Sequence, residues 1–190
     1  MLAFRVVTLP LLVAGSLLCT RPRPGRAQSK PLDQPPTAHC VAEGFSPSLP
    51  LALHAGVPVV VYHTDGAWTC AEFQDGPRWV RSAELRAIAV DTTPRLTAWV
   101  GRWTLPAGTA TIRRGAGDRL RIEGHAWWLG AKGVSHSGRI RALALPSGNR
   151  VHFVQGFCVL DLALVGKYIV ADDNRACGGA NVRFWGIWKR

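Results

Sequence analysis

Three absences restrict what this chain can be. No stretch repeats apolar residues at helical spacing for long enough to build an amphipathic helix, which excludes a helical bundle and leaves an all-β fold as the expectation. There is no Gly-x-Ser-x-Gly elbow and no motif around a Cys–His pair, so the familiar arrangements of nucleophilic hydrolases are missing. Nor is there a Cys-x-x-Cys spacing to prearrange tetrahedral metal ligands, which argues against a metal site built on the cysteines. Acidic residues are also few, 12 Asp and Glu against 23 Lys and Arg in 190 residues, and the formal net charge is +11.

The long apolar run lies at the N-terminus. Val6 to Cys19 is apolar except for Thr8, Pro10 and Ser16, and Arg5 precedes it. This run is too short and too interrupted to span a bilayer as a helix, and it reads as a secretory signal. Gly25-Arg26-Ala27 puts small residues at the two positions that signal peptidase reads, so cleavage is expected after Ala27, through an unusually basic approach of Arg21, Arg23 and Arg26. The alternative is acylation of Cys19, the one route to a membrane expected from the sequence, with Leu18 bulky where a lipobox takes a small residue. Residues 1–27 are thus expected to be a signal peptide and residues 28–38 a Pro-rich linker with little to bury, leaving a periplasmic or secreted chain.

Loss of residues 1–27 removes four arginines and no acid, which lowers the net charge to +7. What remains is uneven. Residues 28–94 carry four basic residues against seven acids, a net −3, while residues 95–190 carry fifteen against five, a net +10. Such asymmetry points to two units with different surfaces, and to contact of the basic one with an anionic envelope polymer or an acidic protein. Nucleic acid does not suit an exported chain. The mature chain keeps Cys40, Cys70, Cys158 and Cys177, for which three pairings exist. Each half owns two, so Cys40 with Cys70 and Cys158 with Cys177 is the simplest arrangement in an oxidising compartment.

The pattern after the linker is one of short strands. Val57 to Val61, broken only by Pro58, leads through Thr64-Asp65-Gly66 into Trp68 to Phe73, and Asp-Gly between two apolar segments signals a hairpin. A turn at Gly76-Pro77, a strand around Trp79-Val80 and at most one helical turn near Ala83–Leu85 follow. The order AGVPVVVY, DGAWTCAEF, RWVRSAEL resembles the bacterial SH3-like domain, which implies a small barrel over residues 39–92. In such a domain Trp68 and Trp79 are core or groove aromatics, and the implied partner is peptidoglycan or an extended peptide.

The second unit, residues 95–190, alternates most clearly at its centre, where Leu120, Ile122, Gly124 and Ala126 share one face and Arg119, Arg121, Glu123 and His125 the other. Gly101-x-Trp103 at its start and Trp188-Lys189-Arg190 at its end resemble the opening and closing of calycin barrels. That resemblance implies an antiparallel barrel whose early tryptophan plugs the floor while a late basic residue crosses it. The closing DNxxCGGxNVxFxG pattern also resembles an uncharacterised group of secreted bacterial proteins. Asp172, Asp173 and Asn174 read either as a cation loop or as part of a closing latch, and the latch accounts for more of the stretch: turn formers, a cysteine, two adaptable glycines and a strand with Val182, Phe184, Gly186 and Trp188 on one side.

Candidate chemistry is sparse. His125, His136 and His152 share the basic unit with Asp161, the one grouping from which a small hydrolase is conceivable. A carrier of small apolar molecules is another alternative, because calycin barrels enclose such ligands. The leading expectation is a non-catalytic envelope-binding protein, without cofactor or metal. Its SH3-like half would use Trp68 and Trp79, and its basic half the outward Arg113, Arg119, Arg121, Arg139 and Arg141. Trp127-Trp128 cannot both enter one core, since neighbours on a strand point to opposite faces, so one belongs near the surface.

Overall fold

The computed structural model describes residues 34–41 and 46–190. The expected signal peptide, the Ala27 cleavage site, Cys19 and linker residues 28–33 lie outside them. The described chain is all-β, three antiparallel sheets joined by tight turns and single 3-10 turns. The first sheet holds β1 (Leu51–His54), β2 (Val57–Asp65), β3 (Trp68–Phe73), β4 (Gly76–Arg81) and β5 (Leu85–Ala87), in the order β4-β3-β2-β1-β5. The second holds β6 (Gly101–Leu105), β7 (Gly108–Arg114), β8 (Leu120–Leu129) and β9 (Ser135–Ala144), paired in chain order. The third continues with β10 (Arg150–Gln155), β11 (Cys158–Val165), β12 (Tyr168–Asp173) and β13 (Gly186–Trp188).

Turn chemistry places the hairpins. Asp65 pairs with Trp68 across the two-residue loop Gly66-Ala67, and Gly66 supplies the positive φ of 58° that the tight reversal needs. The second and third sheets form one meander of eight strands whose first and last strands meet. Thr104 and Lys189 exchange backbone hydrogen bonds of 2.6 and 3.0 Å. At the other junction the Gln155 amide bridges β10 to β9, accepting the Arg141 N–H and donating to the Arg139 carbonyl.

The core lies between these two sheets and is filled by large side chains, with Trp103, Ile122, Phe153, Leu160, Phe184 and Trp188 all inaccessible to solvent. Trp103 donates its indole N–H to the Trp99 carbonyl at 3.0 Å, and Trp188 to that of Phe184 at 3.2 Å, so both polar edges are satisfied inside. Arg190 packs on Trp103. Its guanidinium lies 4.6 Å from the Trp103 ring centroid and donates to the Ala98 carbonyl. The first sheet packs on the outer face of the third, where Leu51 and Val60 meet Ala163, Val165, Tyr168 and Val170. That contact explains why β11 and β12 end and begin in continuous apolar runs, since these strands are covered on both faces. The second sheet keeps one dry face and one wet face, with Leu120, Ile122 and Ala126 buried and Arg119, Arg121 and His125 exposed.

Both disulfides join the expected partners, Cys40 with Cys70 and Cys158 with Cys177, which is the pattern of a chain matured in an oxidising compartment. No described helix is long and apolar enough to cross a membrane.

The closing segment is held by one carboxylate. Asp173, whose side chain is fully buried, accepts Arg183 Nε at 2.7 Å, the Arg175 N–H at 2.8 Å and the Phe184 N–H. Beside it Asn174 accepts the Val159 N–H at 3.1 Å and donates to the Phe157 carbonyl at 2.7 Å, fastening the same loop to β11. The two glycines serve closeness and not unusual angles. Positive φ falls on Arg175 and Asn181, whereas a Cβ on Gly178 would stand 2.7 Å from the Gly138 Cα and one on Gly179 would press on His136. Replacing Asp173 with alanine strands a mostly buried guanidinium and a buried N–H, and removing one partner of such a pair costs about 3–5 kcal/mol. Urea denaturation of Asp173→Ala should show a loss of that order, and a loss below about 0.5 kcal/mol would mean the latch is held elsewhere.

Candidate functional site

The strongest chemical feature on the described surface is the wet face of the second sheet. Pairing register stacks its outward residues in rows: Arg113 opposite Arg121, Glu123 opposite Arg141, and His125 opposite Arg139, with Arg119 just before β8. All five expected arginines are exposed. Among the described residues the ion pair of this group is Arg141 with Glu123, at 3.5 Å and open to water, while Arg113, Arg119, Arg121 and Arg139 have no acidic partner. Like charges opposite one another across a ladder destabilise it, so Arg113 facing Arg121 weakens the sheet slightly, and an anion bridging the two would reverse the effect.

The two tryptophans of the first sheet are placed differently. Register puts Trp79 opposite Cys70 and Trp68 opposite Arg81, hence all four on one face. Trp79 is half-buried, meets His63 edge to face at 5.1 Å between ring centroids, and donates its indole N–H to the Ala38 carbonyl at 2.8 Å. The Cys40–Cys70 disulfide ties the same segment down. This aromatic face therefore carries the protein's own N-terminal segment, in which Pro36 is buried. Trp68 is half-buried, with the Arg81 guanidinium 5.0 Å from its ring centroid.

The three histidines do not converge. His125 lies against Trp127, and His136 stacks on Trp128 with ring centroids 5.6 Å apart. His152 alone meets the carboxylate expected for it, Nδ1 to Asp161 Oδ1 at 2.7 Å, because the two are register partners on β10 and β11. Asp161 is in turn the register partner of Asp172, whose Oδ1 accepts Arg183 Nη2 at 2.9 Å. The outer face of the third sheet thus carries a row of imidazole, two carboxylates and guanidinium that ends in the latch. Sequence reasoning missed Arg183, the centre of this arrangement, although a buried Asp173 demands a cation and Arg183 alternates with the apolar Val182 and Phe184. His152 and Asp161 border an open groove of about 490 Å³, also lined by Ser147, Arg150 and Asp172. Both members of the pair are more than half exposed, so water screens their interaction. A second groove of about 400 Å³ runs between Phe73 and Pro58 of the first sheet and Leu105, Trp185 and Ile187 of the meander. Glu72 on its rim accepts the Tyr62 hydroxyl at 3.0 Å, and burial together with that bond pushes the phenol pKa well up, so it stays protonated.

Burial raises the Asp172 pKa above its ordinary 3.8, outweighing the pull of Arg183. A carboxyl whose folded pKa is raised binds its proton more tightly in the folded state. Its contribution to stability is therefore present below the ordinary carboxylate range and lost as pH rises through the folded pKa. Asp172→Asn keeps an oxygen for Arg183 and removes that loss, so its melting temperature at neutral pH should equal or exceed the parent's, with the difference shrinking as pH falls toward the ordinary carboxylate value. A clear drop at neutral pH would show that the charge on Asp172 stabilises the latch.

Comparison with protein-family models, with curated proteins and with solved structures finds no match to this chain.

Proposed function

We propose that this is an exported, non-catalytic envelope-binding protein that attaches to an anionic partner through the arginine face of β7, β8 and β9. The observation that carries the reading is that the exposed Arg113, Arg121 and Arg139 of one sheet, and Arg119 just before β8, lack acidic partners among the described residues, with Arg113 and Arg121 set directly opposite each other. A merely solvated basic surface has no reason to align like charges across a ladder, whereas a polyanion with repeating charges matches rows spaced two residues apart, about 6.6 Å. The SH3-like reading of the first sheet adds a contact to peptidoglycan or a partner peptide. There the Trp79 indole N–H is committed to Ala38, so a peptide at that site has to displace the chain's own segment.

The carrier alternative is the less well supported, because the space between the second and third sheets is occupied by Trp103, Phe153, Phe184 and Trp188. The hydrolase alternative keeps one specific observation, the His152–Asp161 bond. An esterase and glycosidase screen in which activity disappears in a folded His152→Ala variant would establish it.

Exposed charges are screened over about 8 Å at physiological ionic strength. Retention of the mature chain on purified sacculi or on an anionic polymer should therefore fall steeply as salt rises. The double reversal Arg119→Glu, Arg121→Glu should weaken it on the order of tenfold with little change in melting temperature, since both side chains alternate away from Leu120 and Ile122. Binding indifferent to salt and to the reversals would reduce the face to a solvated surface.

A further inference from the structure

At its β8–β9 end the arginine face gives way to a mixed surface, where Trp127 stands opposite Ser137 and Leu129 opposite Ser135. Of the eleven exposed large hydrophobic side chains among the described residues, three, Trp127, Leu129 and Val134, stand together at the end of the β8–β9 hairpin. Single exposed apolar residues are ordinary; their concentration in one part of the surface is not. At the tip of the β8–β9 hairpin, Leu129 is 73% exposed and Val134 51%.

Resting on the anionic-surface reading above, we propose that the partner is an anionic lipid surface, entered shallowly by the β8–β9 tip while Arg139, the first arginine behind it, meets its headgroups. The order of residues along β8 and β9 carries the argument. From the tip inward come Leu129, then Trp127 at 40% exposure, then the His125 and Arg139 row, then Glu123 with Arg141, then Arg121 with Arg113. Outward residues are spaced about 6.6 Å apart on a strand, so Arg139 lies roughly 13 Å below Leu129. Interfacial apolar groups sit about 5–10 Å into the headgroup and acyl boundary. Leu129 and Val134 at that depth put Trp127 at the interface, where amphipathic rings gather, and Arg139 among the phosphates.

The tip suits shallow entry because its turn is internally bonded. Gly130 N–H donates to the Val134 carbonyl at 2.8 Å, and the ring of Trp128 packs over Gly130, leaving few backbone groups to be stranded away from water. Lys132 at the apex is exposed and long enough to carry its ammonium back to the headgroups. A soluble polyanion or an acidic protein accounts for the arginines but leaves the ordered apolar edge without a role. This contact is independent of acylation at Cys19.

The test uses the mature chain with vesicles of phosphatidylglycerol mixed with phosphatidylcholine, vesicles of phosphatidylcholine alone, and dextran sulfate as an anion without an apolar phase. Expected is binding to the mixed vesicles and not to phosphatidylcholine. Leu129→Ser and Val134→Ser should each weaken vesicle binding about tenfold while leaving dextran sulfate binding unchanged, as follows from losing one buried apolar side chain. Arg139→Glu should weaken both. Vesicle binding untouched by the two serine variants would overturn apolar insertion and leave adsorption by charge. Binding to dextran sulfate without binding to vesicles would overturn the lipid partner and leave the anionic reading standing, whereas binding to neither would overturn both. All three variants are at exposed positions, so unchanged circular dichroism keeps each outcome readable.

Discussion

The fold depends most on a carboxylate that water cannot reach. Asp173 ends β12 and gathers a guanidinium and two backbone N–H groups from the segment that follows, so the chain is turned back and delivered to β13. Nearly everything at that end is referred to this point: Arg183 reaches on to Asp172, Asn174 ties the loop to β11, and Cys158–Cys177 closes a loop of 19 residues separation whose unfolded-state entropy is worth about 3 kcal/mol. Gly178 then lies on Gly138 with no room for a side chain, so the segment seals the edge of β9. A cation loop would have left these carboxylates facing solvent. Here they are consumed in holding the structure.

With its end fastened there, the meander has two different outsides. One, on β11 and β12, is covered by the small first sheet and is apolar where covered and ionic where it emerges. The other, on β7 to β9, is left uncovered, and on it the sequence places arginine where a neutral polar residue would serve solubility equally well. The division explains the charge asymmetry between the two halves of the chain. The acidic half contributes the sheet that covers, and the basic half exposes the sheet that does not.

Several elements were legible because they follow from local rules. The alternation through Leu120 to Ala126, the Asp65-Gly66 reversal, the disulfide partners and the outward direction of the arginines required only strand period and turn chemistry. The division of Trp127 and Trp128 between outside and inside follows in the same way, with Trp128 packed against the core and Trp127 exposed. What could not be read were contacts between residues far apart in the chain. Trp79 as a donor to Ala38 spans 41 residues, and nothing in the sequence near either one announces it. His152 and Asp161 are brought together by register, which depends on the length of the Gly156 turn and not on either residue. The glycine pair after Cys177 was open to a conformational reading, and the steric one became visible only once Gly138 was found beneath it.

The central claim is that the uncovered sheet of the meander is the working surface, and amide hydrogen–deuterium exchange of the protein with and without a bound anionic partner tests it most directly. The account predicts added protection in 108–144, greatest at the β8–β9 tip and along β7 to β9, with the first sheet and the β11–β12 pair unchanged. Protection confined to 34–81, around Trp68 and Trp79, would contradict it and move the working surface to the aromatic face of the first sheet.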